Sequence, residues 1–277
     1  MSQLASNNDP SLWQDAWPQP SNTAHKYDRG HALIVGGYPM TGAARLAARA
    51  AARTGAGLTT VAVPEAAFPI YAASLTSIMV FPLAGDGALQ QLITEQAFSA
   101  FLIGPGAGVG IHTRGHVKAL LAANRPTLLD ADALTSFAEH RCELFEALRD
   151  DCVLTPHEGE FVRLFERHDD KIERALSASA ACGAVVVLKC RETVIAAPDG
   201  RVIVNRNAPP TLATAGSGDV LSGIICGLLA QGMKPFFAAA AGVWMHGAAA
   251  CTFGPGLIAE DLPELLPGTL RALSVNH

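Results

Sequence analysis

The feature that most constrains this chain is an alternation between two hydrophobic periods. Short apolar runs of strand length occur at Ala32–Val35, Leu58–Val63, Ile78–Phe81, Ala100–Ile103, Thr127–Leu129, Cys152–Leu154 and Val185–Leu188. Between most of them lie Ala/Leu-rich stretches of helical length, among them Gly42–Thr54, His112–Ala123 and Glu158–Phe165. Strands alternating with helices predict βαβ units, hence an α/β fold with a mostly parallel sheet covered on both faces. After Leu188 the pattern changes. Thr193–Ala197 and Arg201–Val204 flank the turn sequence Pro198-Asp199-Gly200 and predict a hairpin, followed by two long helices over Ser217–Gln231 and Pro235–Cys251. With no repeat or linker in view, residues 25–277 are expected to form one domain. Residues 1–24 read as a polar arm, with Trp13 and Trp17 placed to pin it to the body or to a neighbouring subunit.

A hydrophobic content of 49% against 16% charge lets the chain bury a sizeable core, and a net charge of −5 gives no general attraction to nucleic acid or to an acidic membrane. No segment approaches the roughly 18 uninterrupted apolar residues that span a bilayer. The longest candidate, Phe236 to Cys251, is broken by His246 and by glycines and reads as a buried helix. The leader lacks the basic-then-apolar order of a secretory signal. Six cysteines, none in C-x-x-C spacing, are expected to be reduced, buried thiols of a cytoplasmic protein.

In parallel sheets, ligands bind where strands end at their carboxyl sides. Here the strands are followed by Gly36-Gly37, Gly104-Pro-Gly-Ala-Gly108, Asp130-Ala-Asp132, Thr155-Pro-His-Glu158 and Lys189-Cys-Arg191. That is a row of flexible and polar groups along one rim.

The run Thr214-Ala-Gly-Ser-Gly-Asp219 carries the strongest chemical signal. Glycines 216 and 218 permit a tight turn whose N–H groups converge, and the helix that starts there adds its positive end. Ala215, Gly216, Ser217 and Gly218 would thus line an anion hole for a transferring phosphoryl group. Asp219, in the first turn, would take the proton from an attacking hydroxyl. As a purely structural motif, Ser217 would cap the helix and Asp219 would complement its dipole; the polar rim loops favour the chemical role.

This run resembles the G-[TAS]-G-D signature of the ribokinase-like superfamily. Further segments resemble one branch of it, the NAD(P)H-hydrate dehydratases: Lys26–Gly37, Gly42–Gly57, Ile103–Gly108, Leu129–Leu134 and Leu154-Thr-Pro-His-Glu-Gly-Glu160, with Lys189-x-x-x-Thr193 in order after them. The resemblance runs from about Lys26 to Gly254 and implies a three-layer α/β/α sandwich. It also implies repair of hydrated NADH or NADPH, in which ADP or, second in preference, ATP phosphorylates the ring hydroxyl and the phosphate is then eliminated. It implies that Ala43, Gly106 or Gly108, and His157 contact the hydrate together with Asp219. It implies that Lys189, Cys190, Arg191, Glu192, Thr193 and Gly218 bind the nucleotide. Cys190 departs from the glycine usual after the lysine, and Glu158 from the proline usual after the histidine. Glu160 is a candidate to face a nucleotide-borne Mg²⁺ through water. Asp130 and Asp132 could hold a metal, but Asp132 is equally well placed as a helix N-cap before Ala133, and the cap is the favoured reading.

The stretch Gly104–Gly110 imitates a dinucleotide fingerprint, but the third glycine falls out of register, and no lysine follows Gly42 as a Walker A motif needs. Two alternatives stand beside the dehydratase: a small-alcohol kinase of the hydroxyethylthiazole or pyridoxal kinase kind, and a nucleotide sensor without catalysis. Many relatives carry an N-terminal epimerase domain that residues 1–24 are too short to hold, so a separate epimerase is the expected metabolic companion. The Ala-rich helices and the Trp-bearing arm point to a homo-oligomer, up to a tetramer.

Overall fold

The computed structural model describes residues 5–19, 21 and 23–274. The remainder of the expected arm, residues 1–4, 20 and 22, and residues 275–277 lie outside the described residues. Ten strands form one sheet: β1 (Ser6–Asn7), β2 (His31–Val35), β3 (Leu58–Pro64), β4 (Met79–Leu83), β5 (Ala100–Ile103), β6 (Thr127–Leu129), β7 (Cys152–Leu154), β8 (Val185–Leu188), β9 (Thr193–Ala196) and β10 (Val202–Asn205). Their order is β1-β10-β9-β8-β7-β6-β5-β2-β3-β4, and every pairing is parallel except those of β9 with β8 and β10. The helices are α1 (Thr41–Thr54), α2 (Phe68–Ser74), α3 (Ala88–Glu95), α4 (Ile111–Ala122), α5 (Ala131–Ser136), α6 (Arg141–Ala147), α7 (Glu158–Leu164), α8 (Lys171–Cys182), α9 (Ser217–Ala230), α10 (Pro235–Phe253) and α11 (Asp261–Ser274).

The three layers follow from side-chain alternation along the strands. Ala32 and Ile34 of β2 join the core built with α1, α2, α9, α10 and α11, whereas Leu33 and Val35 join the opposite core with α3 to α8. Both faces of the central strands are therefore dry, as their uninterrupted apolar runs require. The α/β expectation and the sandwich hold.

α10 is the one described helix long and apolar enough to cross a membrane by length and composition, yet 67% of its 18-residue window is buried against α9, α11 and the sheet. It is the core helix that its interrupting His246 suggests. All six cysteines are free; Cys152, Cys182 and Cys226 are buried as expected, but Cys142 and Cys251 are exposed.

The arm is part of the fold. Ser6 and Asn7 pair in parallel with Ile203 and Val204, making β1 the edge of the sheet. Trp13 is 2% exposed and stands edge-on to Trp244 at 6.0 Å. Its indole N–H donates to Asn8, and a chain of amides runs on from Asn8 to Asn205, Asn207 and the Trp244 carbonyl. Of the two places Trp13 and Trp17 were expected to bind, Trp13 is held by the chain's own body.

The sheet has a switch point between β2 and β5. The chain leaves β2 toward β3 and β4, then returns to add β5 on the other side. The crevice above such a reversal is where open α/β sheets bind ligands.

Candidate active site

The glycine loops expected on the rim meet above the switch point. Gly37, after β2, lies so close to the 104–108 loop after β5 that a β-carbon on it would stand 1.9 Å from the Gly106 carbonyl oxygen. Gly106 in turn lies against Met40 and faces Ala43 in the first turn of α1. The Tyr71 hydroxyl, inside the core, donates to the Gly37 carbonyl at 3.1 Å and fixes this stack from below. Two of the residues expected at the hydrate, Ala43 and Gly106, are thereby neighbours. Gly108 is two residues further along the loop, and its N–H donates to Asp132 at 2.8 Å.

That bond corrects one expectation. Asp132 is inside the first turn of α5, and the N-cap position belongs to Asp130. The helix begins two residues earlier than the sequence suggests, with Ala131 in the left-handed region at φ 45°. An alanine is rarely held there. The bend sends Asp132 to Gly108 and Asp130 to a different partner.

Asp130 is the buried anchor of the site. One carboxylate oxygen receives the Lys189 ammonium at 2.8 Å and the other receives the Ser222 hydroxyl of α9 at 2.6 Å. Lys189 follows β8, where its N–H bonds to the Pro156 carbonyl and its backbone bridges to His157. Its ammonium stands 3.4 Å from where a β-carbon on Gly218 would be. The three strand ends β6, β7 and β8 and the start of α9 therefore converge on Lys189, β7 through its backbone and the others at its ammonium end.

The α9 start is built as the sequence suggests, with one difference. Gly216, not Ser217, is the N-cap; it adopts φ 89° and offers no side-chain cap. The Ser217 hydroxyl turns back to the Leu212 carbonyl at 2.8 Å. First-turn N–H groups have no intrahelical partner; that of Ser217 turns to the Thr214 carbonyl at 3.3 Å, and the uncapped start leaves those of Gly218 and Asp219 for an anion. Ala215 is exposed at the turn's tip.

Close packing fixes this start in space. A β-carbon on Gly223 would lie 2.1 Å from the Ala47 carbonyl oxygen, and one on Gly227 would lie 2.7 Å from that of Ala51. The small residues of α1 and α9 thus let the two backbones touch, which seats the 216–219 turn over the sheet.

Asp219 sits among like charges. Burial, then Asp130, push its carboxyl up to about 7; Lys189 opposes this, and Asp132 and Glu160 add to it. Glu160 is raised too, by burial first, with Lys189 opposing and Asp130 assisting. Asp219 thus keeps its proton at pH values where ordinary carboxylates are bare.

His157 caps α7. Its Nδ1 accepts from the N–H groups of Gly159 and Glu160, and the Glu160 carboxylate accepts from the His157 N–H at 2.9 Å. The ring is 59% exposed, so the cap still presents it to solvent on the site's rim. Glu158, at the first helical position where proline would also be accepted, pairs with Arg174 at 2.6 Å. Cys190 folds into its own loop, with its thiol against the Glu192 carbonyl. Thr193 is buried, Arg191 and Glu192 are exposed, and Glu192 pairs with Arg206 at 3.1 Å.

Two residues escape the sequence reading. Ser222 looks like one more small residue of an apolar helix; only the fold brings it to Asp130, 92 positions away. His246 of α10 has a buried Nε2 with no hydrogen-bond partner. Burial holds its pKa down to about 4, with the Ser217 backbone and Lys189 also acting on it, so a neutral imidazole stands behind the turn. A lone histidine in an otherwise apolar run was its only trace.

The family is decided by comparison of the whole chain. Residues 32–266 match the family model described as NAD(P)H-hydrate dehydratase. The chain belongs to that family. Among curated dehydratase-family relatives, the bifunctional NAD(P)H-hydrate repair enzyme Nnr of Salinibacter ruber is 40% identical over 270 residues, which cover 91% of this chain and 50% of the relative. The chain spans about half the length of several curated relatives it matches. The ADP-dependent (S)-NAD(P)H-hydrate dehydratase of Neisseria meningitidis is 38% identical over 238 residues, covering 82% of this chain and 78% of that one. Among solved dehydratases, the ADP/ATP-dependent NAD(P)H-hydrate dehydratase of Bacillus subtilis, co-crystallised with ATP and Mg²⁺, superposes with a TM-score of 0.84 at 28% identity, covering 98% of this chain and all of that one. Recognition of the family and of the ribokinase-like fold from motifs is upheld.

Proposed function

We propose that this chain dehydrates hydrated NADH or NADPH at the expense of ADP, with ATP as the second choice. The observation that carries the reading is Asp219, raised to about 7, on an uncapped helix start beside Lys189. A base with a pKa near the working pH is suited to taking a hydroxyl proton, and the free N–H groups suit the phosphoryl group that the hydroxyl attacks. The alkoxide oxygen bonds to the terminal phosphorus as the bond to the departing nucleotide breaks, leaving AMP from ADP. The phosphate then leaves with the electrons of the C–O bond as the adjacent ring carbon gives up a proton to water, and the ring double bond is restored. Ala43, Gly106, Gly108 and His157 would border the hydrate, and Lys189 to Thr193 with Gly218 the nucleotide.

Among the described residues no group of three or more His, Cys, Asp or Glu is placed to hold a metal. The hard oxygens of the pocket fit a Mg²⁺ that arrives on the nucleotide and keeps most of its waters, where it would neutralise phosphate charge. Glu160 would face it through water, since its own oxygens are turned to His157.

An epimerase would be the chain's metabolic companion, and the double-length relatives named as bifunctional repair enzymes support a pairing of two activities. A homo-oligomer in the cytoplasm completes the proposal.

The test is purified protein incubated with hydrated NADH plus ADP or ATP. Return of the absorbance of the reduced nicotinamide is expected. A phosphorylated alcohol formed without that return would instead make the chain a small-alcohol kinase.

A further inference from the structure

The site's lysine does not stand free. Its ammonium is tied at 2.8 Å to Asp130, whose side chain is 2% exposed, and Asp130 is tied at 2.6 Å to Ser222, which is fully buried. These groups come from the end of β8, the end of β6 and the second turn of α9, so a contact between distant segments links the lysine to the helix that starts with the glycine turn. The backbone at Asp130 is itself constrained. The Gly104 backbone presses against its carbonyl, and Ala131 is held at φ 45°. Strain of this kind persists only where the surroundings over-determine it.

We propose that Asp130 and Ser222 are a positioning pair that aims Lys189 at the nucleotide phosphates before the nucleotide arrives. This rests on the reading of Lys189 as a phosphate contact. An ammonium has three hydrogens. One is spent on Asp130, and the rest are left for the space above Gly218. The Ser222 hydroxyl occupies the second carboxylate oxygen, which stops Asp130 from rotating to take two hydrogens and draw the ammonium down. It also withdraws charge from the carboxylate, leaving more of the lysine's charge for an incoming anion in a pocket crowded with acids. Ser222 and Asp130 thus act through Lys189 and touch no substrate.

The test compares ADP with adenosine, which lacks the phosphates, by calorimetric titration of the intact chain. Ser222→Ala keeps every charge and removes only the hydroxyl. ADP is expected to bind about tenfold more weakly, the scale of one hydrogen bond to a charged group, while adenosine binds as before. A merely structural role would lower the melting temperature and weaken both ligands alike, and that result overturns the pairing. Lys189→Ala is the accompanying arm. If it weakens ADP and Ser222→Ala does not, the positioning role alone falls. If Lys189→Ala leaves ADP binding intact, the phosphate reading of Lys189 falls and takes the pairing with it.

Discussion

Gly223 of α9 lies against the carbonyl of Ala47 in α1, with room for no atom between them. The helix that carries the glycine turn is held by this contact, and α1 begins beside the Gly106 loop. One backbone-to-backbone contact therefore sets the spacing between the two halves of the site.

Gly223→Ala should accordingly damage both stability and activity. The added methyl must push the helices apart, which costs about 1–3 kcal/mol for overpacking, or a melting temperature lower by roughly 2–5 °C in a chain of this size. Calorimetry and the dehydration assay measure the two losses. A variant with the parent's melting temperature and full activity would show that the helices yield freely.

Asp219→Asn should cut turnover by about 10²–10⁴-fold, the usual contribution of a positioned base. ADP should bind no worse, because the change removes a negative charge from the pocket. If turnover survives while binding falls, Asp219 is a ligand contact and the base lies elsewhere.

The same carboxyl sets two opposite pH dependences. Its pKa in the folded chain is about 7, above the ordinary 3.8. As a base it must be ionised, so kcat/KM should rise with pH and reach its half-height near neutrality. For stability the sign reverses. The protonated acid is favoured in the folded state, so this group's contribution is complete below the ordinary value and is lost as pH climbs through about 7. Asp219→Asn should therefore melt higher than the parent at about pH 8, with the gap narrowing as pH falls below about 7 and closing by about pH 4. A constant gap would place the titration in another residue.

His157 has two separable roles. Asn at this position offers a capping oxygen in place of the ring Nδ1, and Ala offers no acceptor. Denaturant unfolding should show His157→Ala less stable by about 1 kcal/mol and His157→Asn near the parent. Both should raise the KM for the hydrate if the exposed ring meets it. A normal KM in His157→Asn would confine the residue to capping.

Trp13→Ala should cost about 3–5 kcal/mol, the scale for emptying a buried tryptophan site, and would strip Asn8 of its indole donor. Urea titration reads this directly. A loss under 1 kcal/mol would mean that the arm folds against α10 without needing its anchor.

Much of this was legible in the chain's own pattern. The strand at Leu58–Val63 is one residue short of the observed β3, and the hairpin around Pro198-Asp199-Gly200 is in place, because buried parallel strands and turn residues leave local signatures. β1 left none: two residues joined to the sheet by main-chain bonds have no period to read. Asp132 reads as a cap because it is an acid just before Ala133; the helix instead starts two residues earlier through Ala131 in the left-handed region, a conformation that no sequence pattern announces for alanine. Ser222 and His246 were missed for a different reason. What each does depends on what packs against it, and a single sequence does not say which helix lies under which loop.

The contact of Gly37 with Gly106, and of Gly106 with Met40, is main chain meeting main chain, with Tyr71 bracing it from the core. A wall of that kind can be obstructed by a side chain but cannot be retuned by one. Attempts to reshape this contact are thus confined to the side chains nearby, the exposed Tyr38, Met40 and Val109 among them. The wall itself can change only by moving helices.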